Sequence, residues 1–173
     1  IELKSKVGVG TTVIVKIPFK IGTQDENSNL SDKSVSLDDY SVEGMRALVV
    51  EDNELNMEIA RCILEESGME VTCAADGKEA VEIFEKSEPD YFGVIYMDIM
   101  MPRLNGLDAA RTIREMKRRD AMRVPIIAMS ANAFAEDIIN SRLAGMNVHL
   151  AKPLDAEKMI VALKQCMADN SDV

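Results

Sequence analysis

Apolar residues recur along this chain with two different periods. Over residues 1–20 they alternate, with Ile1, Leu3, Val13, Val15, Ile17 and Phe19 on one side of an extended chain, which is the period of β-strands. Gly8 and Gly10 lie between the two alternating runs and supply the turn of a hairpin. From residue 45 onward, short continuous apolar runs alternate with stretches of helical spacing. This pattern predicts strands over 46–51, 69–74, 93–98, 124–129 and 147–151, and helices over 54–67, 77–87, 106–118, 133–144 and 155–168. Leu55, Ile59 and Ile63 carry the helical spacing of the first helix, and Gly68 and Gly145 stop the first and the fourth. Strands that alternate with helices in this way predict an α/β fold, a doubly wound five-stranded parallel sheet covered on both faces.

Residues 21–44 have a different character. Gly, Ser, Asn, Asp, Gln and Glu dominate, and acids outnumber the single Lys33, a composition too poor in apolar residues to pack alone. The expected organisation is therefore a hairpin over 1–20, an acidic polar linker over 21–44, the α/β domain over 45–168 and a tail over 169–173. The chain opens on Ile1 inside a strand pattern, as expected of a piece cut from a longer protein.

Charge and composition narrow the function classes. Twenty Lys and Arg against 30 Asp and Glu leave a net charge of −10, which disfavours a nucleic-acid backbone as partner. No apolar run approaches the ~20 residues that span a bilayer, and no signal-peptide pattern opens the chain, so the expectation is a cytoplasmic fragment without membrane contact. Three cysteines without a C-x-x-C spacing make neither a disulfide framework nor a zinc site, and Cys62, Cys73 and Cys166 are expected to be buried small hydrophobes.

In open α/β sheets ligands bind beyond the carboxyl ends of the strands. The residues that fall there are Glu51 and Asp52 after the first strand of the domain, Asp98 after the third, Ser130 after the fourth and Lys152 after the fifth. Three carboxylates on one rim repel one another unless a cation compensates them, and a small hard cation such as Mg²⁺ suits carboxylate and carbonyl oxygens. Lys152 adds a point charge able to pair with phosphate, and the Ser130 hydroxyl can donate to a phosphate oxygen. A carboxylate in such a setting can attack phosphorus and form an aspartyl phosphate. The combination points to phosphoryl chemistry.

The residues that carry this chemistry also carry a resemblance. Glu51-Asp52-Asn53, Met97-Asp98-Ile99-Met100-Met101-Pro102 with Asn105-Gly106, Met129-Ser130-Ala131-Asn132-Ala133, and Lys152-Pro153 resemble, in order and spacing, the receiver domain of two-component signalling. The resemblance implies a (βα)5 flavodoxin-like fold, with Asp98 as the phospho-acceptor. It implies direct Mg²⁺ contacts from Asp52, Asp98 and the Met100 carbonyl, and help from Glu51 through water. Ser130 becomes the switch hydroxyl and Lys152 the phosphate-pairing lysine, while Lys152-Pro153 is commonly a cis peptide in the family. The family's aromatic switch position, three residues before the lysine, is here His149. Implied partners are a histidine-kinase core or a histidine phosphotransfer protein. Segment 1–20, with Ser5-Lys6-Val7-Gly8-Val9-Gly10-Thr11-Thr12 and Ile17-Pro18-Phe19, is similar to the last strands of the ATP-binding domain of histidine kinases. The whole therefore looks like the C-terminal end of a hybrid sensor histidine kinase.

Three other functions compete with a phospho-accepting switch. A Mg²⁺-dependent phosphatase of the haloacid-dehalogenase type needs an acid two residues after its nucleophile, where this chain has Met100. A dinucleotide-binding module needs glycine in the first βα loop, and Asp52-Asn53-Glu54-Leu55-Asn56 has none. A degenerate receiver acting only as a docking scaffold would not require all five site residues. The basic cluster Arg114, Lys117, Arg118, Arg119 and Arg123 reads as a solvated helix end, and the methionines, Met97, Met100 and Met101 among them, read as adaptable core filler.

Overall fold

Residues 1–6, 8, 10–16, 41–131 and 134–170 are described by the computed structural model, in which the chain divides into two units, Ile1–Ser34 and Val35–Val173. In the first unit β1 (Glu2–Lys6) and β2 (Gly10–Ile14) form an antiparallel hairpin whose register sets Leu3 opposite Val13. Val7, Val9, Ile17, Pro18 and Phe19, all used in the sequence reading, lie outside the described residues.

The second unit is a five-stranded parallel sheet alternating with five helices. In chain order these are β3 (Arg46–Val50), α1 (Glu54–Glu66), β4 (Glu70–Ala74), α2 (Gly77–Lys86), β5 (Val94–Asp98), α3 (Gly106–Glu115), β6 (Ile126–Ser130), α4 (Ala135–Leu143), β7 (Val148–Ala151) and α5 (Ala156–Asn170). The strand order is β4-β3-β5-β6-β7, so β5 is central, and all five of its residues are buried. Successive residues of the inner strands alternate between two apolar layers. Leu48, Val50, Ile95, Met97, Ile126 and Ala128 pack with Phe84 of α2 and Ile113 of α3. Ala47, Val49, Val94, Tyr96, Ile127 and Met129 pack with Ala60 and Leu64 of α1 and Met159 and Leu163 of α5. The second layer also takes in Val42 and Cys166. Val42 falls within the 21–44 segment read as linker.

The helix starts follow local chemistry. Asn53 accepts from the amides of Leu55 and Asn56, and Asn105 accepts from that of Asp108. Asp76 accepts from the Glu79 amide while the Glu79 carboxylate accepts from the Ala75 amide, a reciprocal cap on α2. α4 differs: Phe134 holds its N-cap position without a side-chain hydrogen bond, and Ser141 is its single buried residue.

Several sequence readings are corrected by the packing. α1 forms, but its buried stripe is Ala60 and Leu64, which leaves Leu55 and Ile59 exposed. Cys62 lies on its outer face, where Sγ donates to Glu58 at 3.7 Å, so only Cys166 is a buried hydrophobe and Cys73 is half-buried. All three thiols lie above their ordinary range: burial raises Cys73 and Cys166, the latter to about 11, and at the surface Cys62 slight desolvation and the neighbouring Glu58 raise it. Met97 and Met101 are core residues, but Met100 is 77% exposed.

α3 ends at Glu115, three residues before the predicted 118, because the chain turns to bring Arg118 under the end of α2. The Arg118 guanidinium lies over the Phe84 ring and donates to the carbonyls of Phe84, Ser87 and Glu88 and to both oxygens of buried Asp120. Arg114, half-buried, donates to the carbonyls of Gly145, Ala121 and Val124 at 2.8, 2.6 and 2.9 Å. Burial pushes its guanidinium down to about 10. The basic cluster therefore contains two structural clamps rather than a uniformly solvated helix end. Only its outer members, Arg119 and Arg123, pair on the surface, with Asp90.

The Arg118–Asp120 pair generates a stability prediction. Hydrogen bonds from Arg118 hold the Asp120 carboxyl at about 2, below its ordinary 3.8. A depressed carboxyl contributes stability above the unfolded value, and that contribution is lost as pH falls toward the folded one. Asp120→Asn removes the paired charge while the guanidinium keeps its carbonyl partners, and is expected to cost about 1–3 kcal/mol at neutral pH. Urea denaturation of both proteins checks this: the gap between their midpoints should narrow from pH 3.8 down to about 2.

Candidate functional site

Parallel strands end on one rim, and the central strand delivers its last residue to the middle of it. β5 ends in Asp98, which is 5% exposed and pairs in register with Met129 of β6. The chain leaving β3 supplies Glu51 and Asp52, held to β4 by the Glu51 amide donating to the Ala74 carbonyl at 3.1 Å. Glu51 is buried and Asp52 exposed. Oxygens of Glu51, Asp52 and Asp98 all lie within 4.8 Å of one another. Lys152 follows β7, anchored by its amide to the Ser130 carbonyl at 2.8 Å, and the Lys152–Pro153 peptide is cis.

One ammonium ties the acids together. Lys152 Nζ lies 2.6 Å from Glu51 Oε2 and 2.7 Å from Asp98 Oδ2. Burial disfavours this ammonium, but its hydrogen bonds to Asp98 and Glu51, with their charges, outweigh burial and hold the lysine above its ordinary value. Burial raises the Glu51 carboxyl, and the neighbouring Asp98 charge adds to that, against the pull of Lys152 and Asn56. The site thus concentrates negative charge that a single lysine only partly offsets. Its donors are hard carboxylate oxygens, two buried and one open to solvent, which suits a divalent cation of the Mg²⁺ type.

The loop after β5 is held tightly. Asp98 Oδ1 accepts from the Met100 amide at 3.1 Å, placing Met100 beside the acid, while Ile99 exchanges backbone bonds with Met129 and Gly106. A Cβ on Gly106 would sit 2.0 Å from the Asp98 carbonyl oxygen, so this position admits no side chain. Further along, Arg103 pairs with buried Asp76, the cap of α2. Beside the loop a cleft of about 410 Å³ is lined by Asp52, Met100, Pro102 and Asn105.

Ser130 and His149 are brought together with each other. Ser130 Oγ lies 2.8 Å from His149 Nε2, and His149 Nδ1 lies 3.2 Å from Ser141 Oγ on α4. Asn132 lies outside the described residues. Two participants escaped the sequence reading. Asn56 donates to Glu51 Oε1 at 2.9 Å, and only its place in the first turn of α1 hinted at this. Ser141, a helix residue with no motif around it, gave no signal.

Known proteins resemble the chain over this same region. Residues 47–164 match the family described as response regulator receiver domain. The polar-differentiation response regulator DivK of Brucella ovis is 31% identical over 122 residues, which cover 70% of this chain and 95% of that protein. The protein named "Probable histidine kinase 2" of Oryza sativa subsp. indica is 35% identical over 137 residues, 73% of this chain, and hybrid signal transduction histidine kinase L of Dictyostelium discoideum is 34% identical over 69% of it. The chain spans only 13% and 7% of the length of these two kinases. Among solved structures, the receiver domain of a sensor histidine kinase from Pseudomonas aeruginosa PAO1 is 38% identical with a TM-score of 0.65, covering 72% of this chain and 98% of that one. That structure has a magnesium ion coordinated in its active site cleft.

The tightness of the Asp98 loop is testable. Gly106→Ala forces the backbone of α3 away from Asp98 and is expected to cost about 1–3 kcal/mol. Thermal denaturation reads the loss, and amide NMR shifts at Asp98, Ile99 and Met100 should move.

Proposed function

Because the chain belongs to the response regulator receiver domain family, the phosphoryl-accepting module of two-component signalling, we propose that Asp98 is its phospho-acceptor. The observation that carries this reading is the Lys152 ammonium lying between Asp98 and Glu51 with Asp52 alongside. An Asp98 oxygen forms an O–P bond as the P–N bond of a phosphohistidine breaks, and the departing imidazole keeps the bonding pair and takes up a proton. Lys152 already contacts an Asp98 oxygen and offers a positive charge to the added phosphoryl group. Ser130, on the neighbouring strand, offers a hydroxyl.

The oxygen donors fit Mg²⁺. Asp52, Asp98 and the Met100 carbonyl would hold it, with Glu51 acting through water. When bound, the ion offsets negative charge on the phosphoryl oxygens. The exposed thioether of Met100, where a phosphatase of the competing type needs an acid, supports a switch over a turnover enzyme.

The donor would be a histidine-kinase core or a histidine phosphotransfer protein docking at this rim. The chain's one histidine, His149, sits in β7, and a phosphodonor imidazole needs an exposed helix. The β1–β2 hairpin is in keeping with a remnant of a kinase ATP-binding domain, and the kinases among the relatives support a hybrid-kinase parent. A cytoplasmic setting with no nucleic-acid or membrane partner is in keeping with the net charge of −10. No helix among the described residues is long and apolar enough to cross a membrane.

Treatment with acetyl phosphate and Mg²⁺ should add a single hydroxylamine-sensitive phosphoryl group, read by mass spectrometry. Asp98→Asn should abolish it; a labile adduct surviving in that variant would overturn the assignment. Asp52→Ala should weaken Mg²⁺ by at least about tenfold in an NMR titration, and Glu51→Ala by less. The chain incubated with γ-labelled ATP and Mg²⁺ alone should acquire no label until a phosphorylated donor domain is added.

A further inference from the structure

Both oxygens of the buried Glu51 carboxylate are held, by residues far apart along the chain. Asn56 Nδ2 donates to Oε1 at 2.9 Å, and Lys152 Nζ donates to Oε2 at 2.6 Å. The backbone beneath is pinned as well, through the Glu51 amide on the Ala74 carbonyl. A glutamate carboxylate ordinarily turns with little resistance about its last bond. One donor leaves that turn open; two donors on separate oxygens remove it.

The start of α1 places Asn56 for this contact. Asn53 Oδ1 accepts from the amides of Leu55 and Asn56 at 3.0 and 3.1 Å, and the Asn53 carbonyl accepts from the Met57 amide at 2.9 Å. Helical side chains lean toward the N-terminus of their helix. The Asn56 amide therefore reaches back from a capped first turn to the strand end that carries Glu51. Lys152 alone is a weaker restraint on this carboxylate. Its ammonium sits on a flexible stem, touches one Glu51 oxygen and is shared with Asp98.

We propose that Asn56 is a positioning residue that sets the cation preference of the site: by fixing Glu51 it keeps that carboxylate out of direct contact with the ion and favours Mg²⁺ over Ca²⁺. This rests on the reading of Asp52, Asp98 and the Met100 carbonyl as the direct ligands, and adds what excludes the larger ion. Ca²⁺ gathers ~6–8 oxygens in flexible geometry, bidentate carboxylates among them, whereas Mg²⁺ demands near-octahedral order and keeps several waters. Two carboxylates and one carbonyl suit Mg²⁺. A third carboxylate, free to turn, suits Ca²⁺. The turn needed is small, because oxygens of Glu51, Asp52 and Asp98 already lie within 4.8 Å of one another.

The test titrates Mg²⁺ and Ca²⁺ separately into the 173-residue chain at neutral pH, followed by the amide NMR signals of Asp98, Ile99 and Met100. Asn56→Leu keeps roughly the bulk of the side chain and removes its donor. It should lower the ratio of the Ca²⁺ to the Mg²⁺ dissociation constant about tenfold, the scale on which hydrogen-bond partners tune a metal site. In Glu51→Ala there is no carboxylate to restrain, so adding Asn56→Leu should leave the ratio where Glu51→Ala sets it. An unchanged ratio in Asn56→Leu overturns the proposal even where stability falls, since a bond that only satisfies a buried acid costs stability alone. An equal shift in the Glu51→Ala background overturns it too. If Asn56→Leu does not fold, Asn56→Ala gives the same comparison with the same expected fall. If neither cation binds the unaltered chain, the metal reading and this proposal fall together; if both bind and the ratio stays, only the role of Asn56 falls.

Discussion

The structure depends on how three neighbouring carboxylates are tolerated at the end of a buried sheet. Glu51 and Asp98 are both nearly inaccessible, and two such charges side by side are unfavourable without compensation. The compensation comes from the far side: β7 is separated from β5 by β6, so Lys152 must reach across two inter-strand spacings, about 10 Å, to meet the acids. This single contact links the ends of β3, β5 and β7, which lie far apart along the chain. The capping of α1 by Asn53, which turns Asn56 back onto Glu51, and the loop bonds around Asp98 serve the same cluster.

Around that cluster the two sides of the rim are built differently. On the α2–α3 side the backbone is closed: Gly106 touches the Asp98 carbonyl, and Arg103 binds the cap of α2. On the α4 side the contacts are hydroxyls and an imidazole, each able to exchange donor for acceptor without moving its backbone. A change in charge at Asp98 therefore meets a stiff wall on one side and a compliant one on the other.

The fold was legible because each strand is a short apolar run and each helix has its own stop or cap in the sequence. Gly68 and Gly145, as helix stops, are readable without coordinates. The acids and Lys152 were legible because strand ends converge whatever the intervening sequence. What escaped was set by tertiary contacts. Arg114 and Arg118 look like surface charges, and only the carbonyl ends of neighbouring segments make them clamps. Leu55 and Ile59 have helical spacing but fall a step off the buried stripe, since Ala60 and Leu64 fit more closely against the sheet. Ser141 carries no mark of its role, because its partner His149 becomes adjacent only once β7 lies beside α4.

The thin attachment of α4 has a consequence for how such a domain diversifies. With Ser141 as its one buried side chain, a Phe134 start without a side-chain cap, and Ile139 and Leu143 turned outward, the helix constrains few of its own residues. Duplicated copies of a gene could rewrite the outer face of α4 position by position, acquiring new binding specificities while the core and the acids stay as they are. The segment that contributes least to holding the molecule together is the one with the most room for paralogues to drift apart.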